Sequence, residues 1–155
     1  MIAETILSPV TLELALVEER LLQDIGSDVE LISEIIQYVL KSGGKRVRPA
    51  LLLLSAKLCG YCGGSRHIDL AVVAEYMHAA TLIHDDIIDR ADKRRGLPSA
   101  SSTWGPQISV LAGDFLFARS LQMLVTDGDL AVMQAFADAT VRMIEGEVRE
   151  VQMAG

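Results

Sequence analysis

Apolar residues recur three and four positions apart along almost the whole chain, and no stretch alternates apolar and polar with a period of two. The first such run, TLELALVEERLLQDIG, follows Ser8-Pro9, which reads as an N-cap with proline in the opening turn, and it stops at Gly26. Asp28 is placed to cap a second run, VELISEIIQYVLK, which closes on Ser42-Gly43-Gly44. A basic loop, KRVR, leads through Pro49 into a third helix, ALLLLSAKL. After the turn CGGSRH comes a long helical pattern beginning near Ile68 and running to about Arg90. KRRGLPSASS is rich in turn formers, GPQISVLAGDFLFARSLQMLV is helical again, and Asp127-Gly128 stops it. Asp129 can cap a last helix from Leu130 toward Gln152. The pattern predicts an all-α, bundle-like single domain over residues 1–155, with about six helices and short connections.

Composition supports that class and narrows the function. Half of the 155 residues are apolar and only 5% are aromatic, with a mean hydropathy of +0.32, which favours packed helices over a sheet. A net charge of −7 argues against a nucleic-acid partner, which would require a basic face. No basic segment leads into an apolar stretch at the N-terminus, and unbroken apolar runs such as Ala50 to Leu54 are far too short to span a bilayer. The expectation is a soluble cytoplasmic protein without a transmembrane segment. Cys59 and Cys62 form a C-x-x-C with no matching zinc ligands and no βαβ context, so they read as reduced thiols where a helix meets a glycine turn.

One stretch departs from this economy. LIHDDIIDRADKRRG, residues 82–96, sets three aspartates among leucine and isoleucine and follows them with a knot of basic residues. On a helix with about 100° per residue, Asp85 falls about 20° to one side of His78 and Asp89 about 20° to the other, while Asp86 stands about 80° away. Val72, Val73, Met77, Ala80, Ile83, Ile87 and Ile88 fill most of the remaining arc. Ionised carboxylates inside an apolar environment require a compensating charge. Two carboxylates one turn apart can share a hard cation; oxygen-only ligands favour Mg²⁺, which commonly arrives with a phosphate-bearing substrate. Arg90, Lys93, Arg94 and Arg95 crowd the end of that helix, and Lys45, Arg46 and Arg48 open another after two glycines. One acidic stripe and two basic clusters fit a site for two polyanions, one metal-bridged and one gripped by Arg and Lys.

GGKRVRP, then EYMHAATLIHDDIIDRADKRRG some thirty residues later, then LAGDFLFARS, closely resemble the trans-polyprenyl diphosphate synthases of the farnesyl and octaprenyl type. HDDIIDRADKRRG is similar to the family's first aspartate-rich motif, DDxxD, with its trailing Arg-Arg. The resemblance is strongest between residues 43 and 122 and weaker at EGEVREVQ. It implies an isoprenoid-synthase-like helical bundle, cut to its N-terminal helices because a second aspartate-rich motif is missing. It further implies a Mg²⁺-dependent prenyltransferase, a homodimer, that joins isopentenyl diphosphate to an allylic diphosphate such as farnesyl diphosphate. By position, Asp85 and Asp89, with Asp86 as a lesser candidate, would bind the metal; Arg94 would contact the allylic diphosphate. Asp85, Asp89 and Arg94 are thereby the catalytic candidates. Lys45, Arg48, His78 and Arg95 would hold the diphosphate of isopentenyl diphosphate. Ala80 and Thr81, five and four residues before the first aspartate, would line the chain-length pocket, and their small size implies a long-chain product of the octaprenyl type.

Two other readings compete. One is a truncated, non-catalytic or regulatory subunit that pairs with a complete synthase. The other is a di-iron carboxylate bundle, suggested by Glu75-Tyr-Met-His78, which would require a second Glu-x-x-His that the chain does not contain. Glu145, Glu147 and Glu150 read as a solvated face.

Overall fold

The computed structural model describes residues 6–23 and 25–154. The predicted helices are present. A 3-10 turn, Ser8–Val10, leads into α1, Thr11–Gln23; α2 is Glu30–Lys41, α3 Val47–Leu58, α4 Arg66–Ile88, α5 Ala100–Trp104, α6 Pro106–Asp127 and α7 Leu130–Ala154. The chain divides into two compact units, one reaching to Met123 and one starting at Leu124, where the sequence pattern predicts one domain.

Several ends differ from their predicted signals. Ser8 lies inside the 3-10 turn, with Leu7 at the cap position. Val29, not Asp28, caps α2 without a side-chain bond, because the Ser27 hydroxyl takes the Val29 N–H at 3.1 Å. Asp129 does cap α7, its Oδ1 accepting from the N–H of Ala131 at 2.9 Å. The basic KRVR segment is loop at Lys45 and Arg46 and helix from Val47, so α3 starts two residues before the predicted Pro49, with Arg46 at its N-cap in the left-handed conformation. At the other end of α3, Gly60 is left-handed and Tyr61 N–H bonds back to the Ala56 carbonyl, a Schellman closure. Cys59 and Cys62 flank it as exposed free thiols.

The first unit is organised around α4, which packs on α1, α2, α3 and α5. Its buried residues Ala71, Val72, Tyr76, Ala79, Ala80 and Ile83 join Val17 and Leu21 of α1, Ile36 and Leu40 of α2, Leu53 of α3 and Leu116 of α6. Each large side chain so buried contributes roughly 1.5–3 kcal/mol. The one buried hydroxyl in this core is satisfied, since Tyr76 donates to the Leu21 carbonyl at 3.1 Å. In the second unit α7 carries exposed Val141, Ile144, Val148 and Val151. By length and composition alone, α6 is apolar enough to cross a membrane, a property that the run lengths did not anticipate and that core helices share.

The turn-rich segment after α4 contains a two-stranded hairpin that the period-two search missed. β1, Lys93–Arg94, pairs antiparallel with β2, Leu97–Pro98. Strands of two residues are too short for alternation to register. Arg95 and Gly96 form the two-residue turn, with φ of 51° and 83°, the signature of type I′. Asp92 carbonyl accepts from Ser99 N–H at 2.9 Å, and Tyr38 donates its hydroxyl proton to the Pro98 carbonyl at 2.8 Å. Tyr38 also meets Trp104 edge to face, with centroids 5.1 Å apart. Together these contacts seat the hairpin against α2 and α5.

Candidate diphosphate site

Lys45, Arg48, His78 and Arg95 come together around one open cavity of about 490 Å³, with Gly44, Arg46, Val47 and Glu75 completing its wall. Three elements supply it. The turn after α2 and the start of α3 present Lys45 and Arg48; α4 presents His78; the hairpin turn presents Arg95. Gly44 lets the Arg95 guanidinium lie close against the loop: a Cβ there would be 2.9 Å from Nη1, and the flexible end of Arg95 would have to shift aside. Burial lowers the His78 pKa, Arg48 lowers it further, and Glu75 opposes both. His78 is therefore neutral at pH 7, a hydrogen-bonding imidazole within a cationic cavity.

Arg46, the third cation of the basic segment, borders the cavity but is engaged by partners within the fold. Its Nη1 donates to Glu75 Oε1 at 2.7 Å, and its Nη2 to Glu18 Oε2 at 3.2 Å and to the Leu40 carbonyl at 2.9 Å; its Nε also donates to Glu18. Burial alone would depress its pKa, but the hydrogen bonds it donates to Glu18 and Glu75 outweigh this and raise it. Arg46 thus ties α1, α3 and α4 together beneath the cavity. The same contact removes Glu75 from metal chemistry, which removes the Glu-x-x-His of the di-iron reading. Glu18 carried no signal in the sequence, since nothing in an amphipathic helix marks one glutamate as the partner of a residue 28 positions away.

The acidic stripe ends α4. Asp85 is half-buried, Asp89 is exposed at the C-cap, and the Asp89 N–H bonds to the Asp85 carbonyl at 2.8 Å. The helix then closes through Arg90, left-handed at φ 52°, with Ala91 N–H donating to the Asp86 carbonyl at 2.9 Å. Burial pushes the Asp85 carboxyl above its ordinary range; Arg94 opposes this, while Asp89 and Asp86 add to it. The protein therefore leaves the Asp85 charge incompletely compensated, as suits a hard-cation ligand. Among the described residues no group of three or more His, Cys, Asp or Glu forms a metal cage. Asp85 and Asp89 can supply two oxygen ligands, and Mg²⁺ usually takes the remainder from water and phosphate.

Asp86 stands apart from that pair. Its carboxylate is buried and accepts a fork from Arg94, Nε at 2.8 Å from both oxygens and Nη2 at 2.7 Å from Oδ1. Arg94, adjacent in sequence to Arg95, is thereby turned to a different place. Ala80 is 1% exposed and belongs to the hydrophobic core. Thr81 remains half-buried, its hydroxyl donating to the His78 carbonyl at 2.8 Å. The sequence did not single out Gly113 of LAGDF. A Cβ there would fall 2.4 Å from His84 Nε2, so this glycine admits the ring that precedes the two aspartates. His84 Nε2 lies 3.2 Å from the Val110 carbonyl and 3.4 Å from Asp114 Oδ1.

Comparison with known proteins agrees with this geometry. The family model described as polyprenyl synthetase matches residues 29–155. The octaprenyl diphosphate synthase of Escherichia coli (strain K12) is 39% identical over 139 residues, covering 90% of this chain and 43% of that protein. The all-trans-nonaprenyl-diphosphate synthase of Rhodobacter capsulatus is 38% identical over 149 residues, covering 96% and 46%. A crystal structure of a polyprenyl synthase from Caulobacter crescentus CB15, complexed with calcium and isoprenyl diphosphate, superposes with a TM-score of 0.89 at 34% identity, covering 94% and 44%. The chain spans less than half the length of the curated relatives it matches. With the family model spanning most of its length, this chain belongs to the polyprenyl synthetase family.

Proposed function

We propose that these residues carry the diphosphate-binding half of a Mg²⁺-dependent prenyltransferase that condenses isopentenyl diphosphate with an allylic diphosphate. The observation that carries the reading is the convergence of Lys45, Arg48, Arg95 and His78 on one cavity, with His78 on the helix that also carries half-buried Asp85 and exposed Asp89 one turn apart. Lys45, Arg48 and Arg95 hold the isopentenyl diphosphate, and His78 adds a hydrogen bond without a further charge. Asp85 and Asp89 hold Mg²⁺, which when bound neutralises the allylic diphosphate and makes it a better leaving group. The allylic C–O bond breaks and its electron pair leaves with pyrophosphate. The isopentenyl double bond then attacks the allylic carbon, and the resulting cation loses a proton to the released pyrophosphate, its C–H electron pair forming the new double bond. Fixed positive charge around the leaving group is the main contribution expected of the protein.

The named relatives make octaprenyl and nonaprenyl diphosphates, which supports a long-chain product here. Thr81 is the side chain to alter, because a larger residue at the core position Ala80 would overpack it. The test is incorporation of labelled isopentenyl diphosphate into farnesyl diphosphate primer with Mg²⁺, alongside Mg²⁺-dependent binding of the primer. Elongation, or binding that Asp85→Asn abolishes, is expected. Binding of neither diphosphate, with or without Mg²⁺, would refute the reading. In a chain that elongates, Thr81→Phe is expected to shorten the product, and an unchanged product would reject the long-chain assignment.

A further inference from the structure

The aspartate pair and the cationic cavity are joined through a residue that the motif reading groups with the metal ligands. We propose that Asp86 is a positioning residue rather than a ligand: its buried carboxylate grips Arg94, pins the hairpin to α4, and so aims Arg95 into the diphosphate cavity. The proposal rests on the function given above for that cavity.

Four observations lead there. Asp86 is 5% exposed and both of its oxygens accept from Arg94, through Nε at 2.8 Å and 2.8 Å and through Nη2 at 2.7 Å. A cation could reach these oxygens only by displacing a forked guanidinium from a desolvated position, whereas half-buried Asp85 and exposed Asp89 offer accessible oxygens one turn apart. The direction of the side chain agrees, since Asp86 lies about 80° from the stripe that Asp85 and Asp89 share with His78.

The third observation is the hairpin. Two-residue strands have little stability of their own. The far strand is fastened by Tyr38 to the Pro98 carbonyl, while Arg94 fastens the near strand to α4 through Asp86. Fastening both strands fixes the turn between them. The fourth is the turn itself. Arg95 sits at φ 51° in a type I′ turn, a conformation that an L-residue keeps only when its surroundings impose it. From that position its guanidinium packs on Gly44 and lines the cavity. If the fork is lost, the near strand is free, the turn can relax, and Arg95 has no reason to stay over the loop.

The experiment compares Asp86→Asn, Arg94→Lys, the double substitution Asp86→Asn/Arg94→Gln and Asp85→Asn with the unaltered chain. The double substitution buries no unpaired charge, so it remains informative if the single change at Asp86 unfolds the protein. Three quantities are read: amide hydrogen exchange over residues 93–98, affinity for inorganic pyrophosphate by calorimetry, and Mn²⁺ binding by electron paramagnetic resonance. Loss of exchange protection in the hairpin and about tenfold weaker pyrophosphate binding are expected for the three Asp86 and Arg94 variants, with Mn²⁺ affinity within about twofold of the unaltered chain. Asp85→Asn is expected to show the converse: an ordered hairpin and lost Mn²⁺ binding. If Asp86→Asn or the double substitution weakens Mn²⁺ binding as much as Asp85→Asn does, or leaves hairpin exchange unchanged, the proposal is overturned. Failure of the unaltered chain to bind Mn²⁺ would refute the metal assignment at Asp85 and Asp89, and hairpin exchange would still decide the role of Asp86.

Discussion

Arg46→Met tests how the cavity wall is held. Methionine keeps a Cβ, so the left-handed backbone at φ 45° is no more or less strained than before, and the change removes only the guanidinium. The Arg46 side chain is 14% exposed and its partner Glu75 is 9% exposed, whereas Glu18 is 43% exposed. Taking one partner from a buried ion pair costs about 3–5 kcal/mol, because the remaining charge is left desolvated. The Glu18 arm, screened by solvent, contributes at most about 1 kcal/mol. The Leu40 carbonyl loses a donor worth roughly 1 kcal/mol. The expected loss is therefore about 4–7 kcal/mol, a large part of the roughly 5–15 kcal/mol that stabilises an ordinary domain. Urea unfolding followed by circular dichroism measures it. Glu18→Gln should cost less than about 1 kcal/mol, and Arg46→Met/Glu75→Gln should recover a substantial part of the loss, since no charge is then left buried. A cost for Arg46→Met below about 1 kcal/mol, or a Glu18→Gln cost equal to it, would show that the buried arm does not dominate.

Three further outcomes follow from the same geometry. Gly44→Ala would place a Cβ 2.9 Å from Arg95 Nη1, the flexible end of a side chain that can move aside, so thermal stability should change little and pyrophosphate affinity should fall by no more than about threefold by calorimetry; a larger loss would mean that Arg95 cannot give way there. Asp85→Asn should stabilise the metal-free protein at pH 7. Burial holds the folded carboxyl above its ordinary value of 3.8, so the unfavourable ionised form costs stability above that raised pKa, and the cost disappears as pH falls toward and below 3.8. Melting curves of both proteins from pH 3 to 8 should converge at the acid end, and an advantage that persisted there would have another origin. Arg90→Gly, at the left-handed closure of α4, should be neutral or raise stability by up to about 1 kcal/mol; a clear loss in chemical denaturation would mean that its side chain supports the turn.

The amphipathic pattern by itself determined the class and the main helices of this chain, because a period of 3.6 residues is a local property and a helix bonds its own backbone. It also determined that residues 82–96 are chemically abnormal, since aspartates among aliphatic side chains stand out without any structure. The family resemblance groups Lys45, Arg48, His78 and Arg95, and the fold places all four around one cavity. Three results came only from tertiary structure. Like charges in one motif separate: Arg46 faces inward to two glutamates while Lys45 and Arg48 face the cavity. Arg94 and Arg95, neighbours in sequence, diverge because a type I′ turn begins between them. Asp86, already off the stripe by helix geometry, finds its partner in Arg94, and Ala80 is enclosed by the core. The physical reason is common to all of these. Which carboxylate pairs with which cation is decided by desolvation and by distance between elements 8 to 29 residues apart in sequence, and a one-dimensional pattern contains neither.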